Sequence, residues 1–348
     1  MYSLENLLKT AVDLKASDIF LIPGSRPVCQ ADGSFVPLEE EILMPDRAEP
    51  MIENLYRLAK RDMTRLRTTG DDDFSFAIGG LSRFRVNTYK QRNSLASVIR
   101  VIQFGIPNYQ DCNITDTVMS VADKTKGLVL VTGPAGSGKS TTLACLIDKI
   151  NKTRSGHIIT LEDPIEFLHR NNKSIISQRE IGLDTSNYVT ALRASLRQAP
   201  EVILVGEMRD HETIQTAMTA AETGHLVIST LHTVGAANTI DRIIDVFPPM
   251  QQQQIRIQLS MVLQAVVSQQ LVPTTQGTLT PAFEVMFLNN AVKNMVREGK
   301  VHQIDSAIAS SAAAGMVGMD ASLEKLRKEG TIDLETARRH AFHPERFR

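Results

Sequence analysis

Four apolar runs each end in polar residues: Leu128-Val129-Leu130-Val131 before GPAGSGKS, Ile158-Ile159-Thr160-Leu161 before Glu162 and Asp163, Val202 to Gly206 before Glu207, and Leu226 to Leu231 before His232. Apolar runs without polar alternation predict strands buried on both faces, and their interleaving with helical stretches predicts a parallel sheet covered by helices. Such folds carry their chemistry at the carboxyl ends of the strands, so the four polar endings are expected to converge. Beyond Thr233 the pattern reads as mainly helical to the end, with Ile240 to Val246, Gln251 to Gln269, and Ala291 to Glu298 closed by Gly299.

Upstream the texture is mixed. A short amphipathic helix is expected from Leu4 to Leu14, then a strand Ile19 to Ile22 ended by Pro23-Gly24, and a hairpin pairing Val28 to Gln30 with Phe35 to Leu38. A helix from Pro50, in the first helical position, to Arg65 follows, and then three alternating strands, Phe74 to Ile78, Phe84 to Tyr89 and Leu95 to Ile102. These elements predict a smaller α+β domain over residues 1–104, a linker over 105–111, and a second domain over 112–348. The length of 348 residues suits this division, because a single core seldom grows past about 300 residues.

Charge narrows the partners. With 38 basic against 39 acidic side chains, no global field draws the chain to nucleic acid or anionic lipid. Cys29, Cys112 and Cys145 form no C-x-x-C pair, which argues against a disulfide framework or zinc module and fits a reducing cytoplasm. No run of 18 apolar residues occurs, so a membrane span is not expected.

Gly133, Pro134, Ala135, Gly136, Ser137, Gly138, Lys139 and Ser140 fit the phosphate-loop pattern G-x-x-x-x-G-K-[ST] between a strand and a helix-like stretch beginning at Thr141. The turn and helix N-terminus aim backbone N–H groups at phosphate oxygens, and Lys139 adds a full charge. Chance would produce the four specified positions about once in 100 chains of this length, before the flanking strand and helix are required. ATP and Mg2+ are the expected ligands, with Lys139 on the β- and γ-phosphates, Ser140 on the metal, Thr141 a neighbouring contact and Glu207 holding the metal's water shell.

Among Glu162, Asp163 and Glu166, Glu162 lies nearest a strand tip and is the first choice for general base, with Glu166 in support; a solvated acidic turn is the plain alternative. His225 and His232 should not share a metal, and His232, where the polar endings meet, suits a sensor of the γ-phosphate. Arg83 and Arg85 should share a strand face and, with Arg100, could reach a phosphate or form only a basic sheet edge. Arg193, Arg197 and Arg209 border the Glu207 strand with the same ambiguity, and Asp71-Asp72-Asp73 reads as a solvated turn.

Four motifs in fixed order, GPAGSGKST, ITLEDPIEF, LVGEMRD and GHLVISTLHT, resemble those of the secretion ATPase superfamily of type II secretion and type IV pili. SRFRVN, TIDRIIDVFP and AVKNMVREGKVHQI extend the resemblance over nearly the whole chain, and the last is similar to a motif of the pilus-retraction motors. The resemblance implies a RecA-like P-loop ATPase domain (α/β) behind a smaller PAS-like α+β N-terminal domain. It implies a hexamer powering pilus retraction and twitching motility from the cytoplasm, docked to an inner-membrane pilus platform protein. In that frame Glu162 is the catalytic base, Glu207 the Walker B acid, His232 the second histidine of its box, and Arg83, Arg85 and Arg100 the finger arginines. The sequence departs from the family pattern at Glu201, Ala135 and Lys293. Pilus extension or type II secretion is the alternative within the superfamily, although the four-cysteine module usual in extension motors is missing. A nucleic-acid translocase or a non-hydrolysing nucleotide sensor is the alternative outside it.

Overall fold

The computed structural model describes residues 3–31, 33–102 and 105–347. The chain divides into two compact units, Met1–Gly105 with Glu166–Leu168, and Ile106–Ile165 with His169–Arg348.

In chain order the first unit comprises α1 (Leu4–Asp13), β1 (Asp18–Leu21), β2 (Val28–Ala31), β3 (Ser34–Pro37), α2 (Pro45–Leu58), α3 (Thr64–Thr69), β4 (Asp71–Ile78), β5 (Ser82–Gln91) and β6 (Ser94–Ile102). Its strands form an antiparallel sheet ordered β3-β2-β1-β6-β5-β4. Alternation divides the faces. Phe84, Val86 and Ile99 join Leu7, Leu8, Ile52 and Leu55 of the helices in one core, while Arg85 and Arg100 stay exposed on the other face. The expected hairpin is present, with Ala31 paired to Ser34.

Two expectations for this unit fail. The helix begins at Pro45, which takes the N-terminal position assigned to Pro50; Pro50 lies within the helix, and the chain breaks after Leu58 before a separate α3. Asp71-Asp72-Asp73 is not a turn but the start of β4. Alternation explains it: Asp71 and Asp73 face outward, whereas Asp72 is buried beneath α2. Arg61 grips Asp72 through two nitrogens at 2.9 and 3.1 Å, and Tyr56 donates its phenol to the same carboxylate at 3.1 Å. Burial pushes that phenol up to about 12, so it remains a donor.

The second unit comprises α4 (Asp116–Met119), β7 (Gly127–Thr132), α5 (Lys139–Thr153), β8 (His157–Glu162), β9 (Ile175–Glu180), α6 (Tyr188–Ser195), β10 (Val202–Val205), α7 (His211–Glu222), β11 (Leu226–Leu231), α8 (Ala236–Asp245), α9 (Pro249–Val262), β12 (Leu263–Pro273), β13 (Leu279–Phe287), α10 (Asn290–Glu298), α11 (Ile304–Ser310), α12 (Met319–Lys328) and α13 (Leu334–His340). The sheet runs β13-β12-β7-β11-β10-β8-β9, parallel except for β13. Each apolar run feeds two cores. Leu128 and Leu130 of β7 point into the cluster with α6 to α11, and Val129 and Val131 into the cluster with α4 and α5. Neither face is wet, which is why these strands lack polar alternation.

The expected helix Gln251 to Gln269 stops at Val262, and the mainly helical reading of the tail overlooks β12 and β13. Ala265-Val266-Val267 is buried on both faces of the sheet and so shows no period of two, leaving the helical pattern of α9 apparently continuous. The β-branched pair Val266-Val267 and the turn around Gly277 are the signals that favour a hairpin.

Replacing Asp72 by Ala removes the acceptor for Arg61 and Tyr56 under α2. The expected cost is about 2 kcal/mol, below that of a fully buried pair because Arg61 is partly exposed. Urea unfolding followed by a probe in the first unit checks this; an unchanged midpoint contradicts it.

Candidate functional site

Adjacent parallel strands deliver the sequence-singled residues to one edge of the second unit. β7, β11, β10 and β8 lie side by side in that order. At their carboxyl ends stand the turn from Gly133, His232, Glu207 and Glu162, respectively. The convergence follows from the parallel register, in which Thr132 is level with Leu231, Ser229 with Val205, and Val205 with Leu161.

The glycine turn is shaped by contacts that exclude side chains. Gly133 has φ 144°, and a Cβ there would lie 2.1 Å from the Gln269 carbonyl oxygen and 2.7 Å from Ser137 Oγ. Gly138 has φ 85° and caps α5; a Cβ on it would approach the Gln269 amide nitrogen to 2.8 Å. Both glycines therefore close around Gln269, whose side chain is buried and accepts a hydrogen bond from Thr142 Oγ1 at 2.7 Å. Lys139 Nζ donates to the carbonyls of Gly133 and Pro134, each at 2.8 Å, bringing its charge over the turn. Ser137 Oγ is buried with no hydrogen-bond partner among the described residues. A buried orphan hydroxyl in a turn of N–H groups at a helix start fits an oxyanion ligand. Ser140 and Thr141 follow in the first turn of α5, half-buried.

Glu207 and His232 are close, His232 Nε2 lying 3.7 Å from Glu207 Oε2, while Arg209 Nε holds Glu207 Oε1 at 2.6 Å. Glu162 accepts from Thr160 Oγ1 at 2.6 Å and from Gln178 Nε2 of β9 at 3.1 Å, which orients its carboxylate. Gly206 brings the two acids' strands together: a Cβ there would meet Tyr188 Oη at 2.9 Å and the Leu161 carbonyl at 3.1 Å. Burial, then the charges of Glu207, Asp163 and Glu162, push the Tyr188 phenol upward, so it stays protonated beside the acids.

Other singled-out residues lie elsewhere. His225 precedes β11 at the opposite end of the sheet, its Nδ1 3.0 Å from the Ala220 carbonyl, and so takes no part here. Arg193 pairs with Glu212 at 2.9 Å, and Arg197 contacts the Arg193 carbonyl. Glu166 is exposed and groups with the first unit. In that unit Arg85 and Arg100 are direct cross-strand partners on the outer sheet face, Arg83 lies two residues from Arg85, and Arg100 is held by Asp18 at 3.0 Å. Sequence reasoning missed Gln269, Gln178 and Tyr188. Gln269 lay inside the helix wrongly extended over β12, and nothing local distinguishes the other two from ordinary strand and helix residues.

The family model described as Type II/IV secretion system protein matches residues 2–324. The chain is 42% identical over 342 residues to the type IV pilus retraction ATPase PilT of Pseudomonas aeruginosa, covering 98% of each. It is also 42% identical to a twitching motility protein of Neisseria gonorrhoeae, over 99% of this chain and 92% of that one. Among solved structures, the pilus retraction motor PilT with bound ADP superposes with a TM-score of 0.90 at 43% identity over 99% of both chains. The Legionella pneumophila ATPase DotB superposes at 0.82 with 26% identity, covering 97% of this chain and 95% of that one. The chain belongs to the Type II/IV secretion system protein family, as an ATPase with a RecA-like domain and a smaller N-terminal domain.

Proposed function

We propose that this chain is the ATP-driven motor of type IV pilus retraction, working in the cytoplasm as a homo-oligomeric ring, a hexamer, against a platform protein of the pilus machinery in the inner membrane. The observation that carries the reading is the alignment of Glu162, Glu207 and His232 beside the Gly133 to Ser140 turn on four neighbouring strands. Phosphoryl transfer needs little covalent help from protein, so positioning and charge do most of the work.

Gly133 to Thr141 would cradle the triphosphate with backbone N–H groups, and Lys139 would move its ammonium from the Gly133 and Pro134 carbonyls to the β- and γ-phosphates. The Ser140 hydroxyl and Glu207 supply the hard oxygen donors that suit Mg2+, which when bound would neutralise developing phosphate charge. Glu162, held by Thr160 and Gln178, takes a proton from water as the oxygen attacks the γ-phosphorus. The bond from that phosphorus to the β–γ bridging oxygen breaks, leaving ADP and inorganic phosphate. His232, 3.7 Å from Glu207, would report the γ-phosphate.

Arg83, Arg85 and Arg100 would add positive charge to the transferred group. Arg85 and Arg100 face each other as like charges across a strand pair, and only Arg100 has Asp18. Such a pair is destabilising alone and is offset by an anion, which favours a phosphate role over a solvated edge. Residues 105–111 are proposed as the hinge between a first domain ending at residue 104 and the second. ATP and ADP must favour different settings of that hinge for hydrolysis to do work.

Replacing Glu162 by Gln should leave ATP affinity nearly unchanged and lower turnover about 100-fold or more; turnover at the parent rate rejects the base assignment. Gly133→Ala should abolish nucleotide binding, because its Cβ would overlap the Gln269 carbonyl, whereas Gly136→Ala, whose Cβ meets nothing within 4 Å and whose φ of 75° costs an L-residue about 1–2 kcal/mol, should retain it within about tenfold. Calorimetric titration with ADP separates the two. In cells lacking the gene, pilus retraction should stop; retraction continuing unchanged assigns the motor role to another protein.

A further inference from the structure

One carboxylate deep in the second unit does not belong to the nucleotide site. Glu284 lies in β13 between Phe283 and Val285 and is almost fully buried. Its two oxygens serve two helix starts: one accepts the Ala236 N–H at 2.7 Å, the other the Met319 N–H at 3.4 Å. Ala236 opens α8, four residues after His232, and Met319 opens α12. The N-terminal N–H groups of a helix lack internal partners, so a carboxylate there is both acceptor and favourable charge.

The neighbours of Glu284 extend the contact toward the phosphate loop. Its direct cross-strand partner is Ser268 of β12, whose hydroxyl accepts the preceding N–H, that of Gly235, at 2.8 Å. Ser268 in turn is level with Thr132 of β7, the residue before Gly133. Thr239 of α8 lies 3.5 Å from the Thr132 hydroxyl and 2.7 Å from that of Thr233. A row of polar side chains on three strands thus contacts Gly235, Ala236 and Thr239. Above Gly235, the Phe342 ring lies 3.2 Å from where a Cβ would sit, and the Phe342 N–H is held by Asp320 of α12 at 2.7 Å.

We propose that Glu284 is a positioning residue for ATP hydrolysis: by holding the starts of α8 and α12 to one strand, it makes the setting of the His232 loop and that of the C-terminal helices a single variable. The loop after His232 is tied to this strand pair at Gly235 through Ser268 and at Ala236 through Glu284, and the same Glu284 seats the start of α12. The proposal rests on the nucleotide-site reading above for its effect on turnover, but the double clamp itself needs no nucleotide.

Burial, resisted by the two N–H groups, pushes Glu284 up to about 7, and the charged groups facing it, Asp305 of α11 and Asp320 of α12, push the same way. The unfolded chain holds this carboxyl at its ordinary value, so the folded state binds the extra proton between about 4.5 and about 7. The stability that Glu284 contributes is therefore lost as pH rises through that window, while the charged double acceptor is complete only above it.

The test compares wild type, Glu284→Gln and Ser268→Ala. A carboxamide has one acceptor oxygen and cannot serve both N–H groups. Glu284→Gln is expected to keep ATP affinity within about twofold while kcat falls about tenfold. Wild-type kcat should fall as pH drops through about 7, and the variant should lack that step. Ser268→Ala should show a smaller loss of kcat at unchanged affinity. In nucleotide-free protein, amide exchange at Ala236 and Met319 should rise in Glu284→Gln, and Ser268→Ala should raise exchange at Met319 as well as at Gly235. The proposal is overturned if Glu284→Gln retains the wild-type kcat and pH profile, or if Ser268→Ala changes exchange at Gly235 alone. Because exchange requires no turnover, failure of the clamp is distinguishable from failure of the nucleotide reading.

Discussion

The structure depends on the close approach of the phosphate turn to β12. Gly133 and Gly138 leave no room for side chains because Gln269 fills the space beneath them with its carbonyl and its buried amide. The turn's N–H groups are thereby arranged before any ligand arrives, and preorganised donors need no rearrangement when charge develops. The same strand carries Ser268, one residue earlier, into the row that supports the loop after His232. One strand therefore touches both the glycine turn and the loop after His232, although β12 contributes none of the motif residues.

Much of this was legible in the chain. Polar endings on continuous apolar runs predicted that these residues converge, because a sheet buried on both faces leaves charge to the strand ends, and the structure brings Glu162, Glu207 and His232 to adjacent strand tips. Partners supplied from a distance in sequence were not legible. Gln178 orients Glu162 from a neighbouring strand, and Tyr188 reaches Gly206 from a helix, each specified by register rather than by local composition. The β12–β13 hairpin was hidden for the reason that made the other strands visible: burial on both faces erases alternation, and here a helix leads directly into the strand.

Charge at the first unit shows the limits of a local reading in another way. Three consecutive aspartates suggest solvent, yet the pleat sends Asp72 inward and its neighbours outward. Arg85 and Arg100, far apart in sequence, become adjacent on the outer face because β5 and β6 form a hairpin. Repulsion between them is relieved at one end by Asp18, and the other end presents positive charge to whatever approaches.

The buried Tyr56, Asp72 and Thr88, with the half-buried Arg61, also determine how α2 can lie on its sheet. Aliphatic surfaces alone tolerate several alignments, since leucine against valine is nearly as good one helical turn away. A slip of α2 by one turn would strand a carboxylate in hydrocarbon, so the wrong alignments are penalised far more than the right one is rewarded. The helix is keyed to a single seat, and the arginines on the reverse side of the sheet inherit a fixed frame.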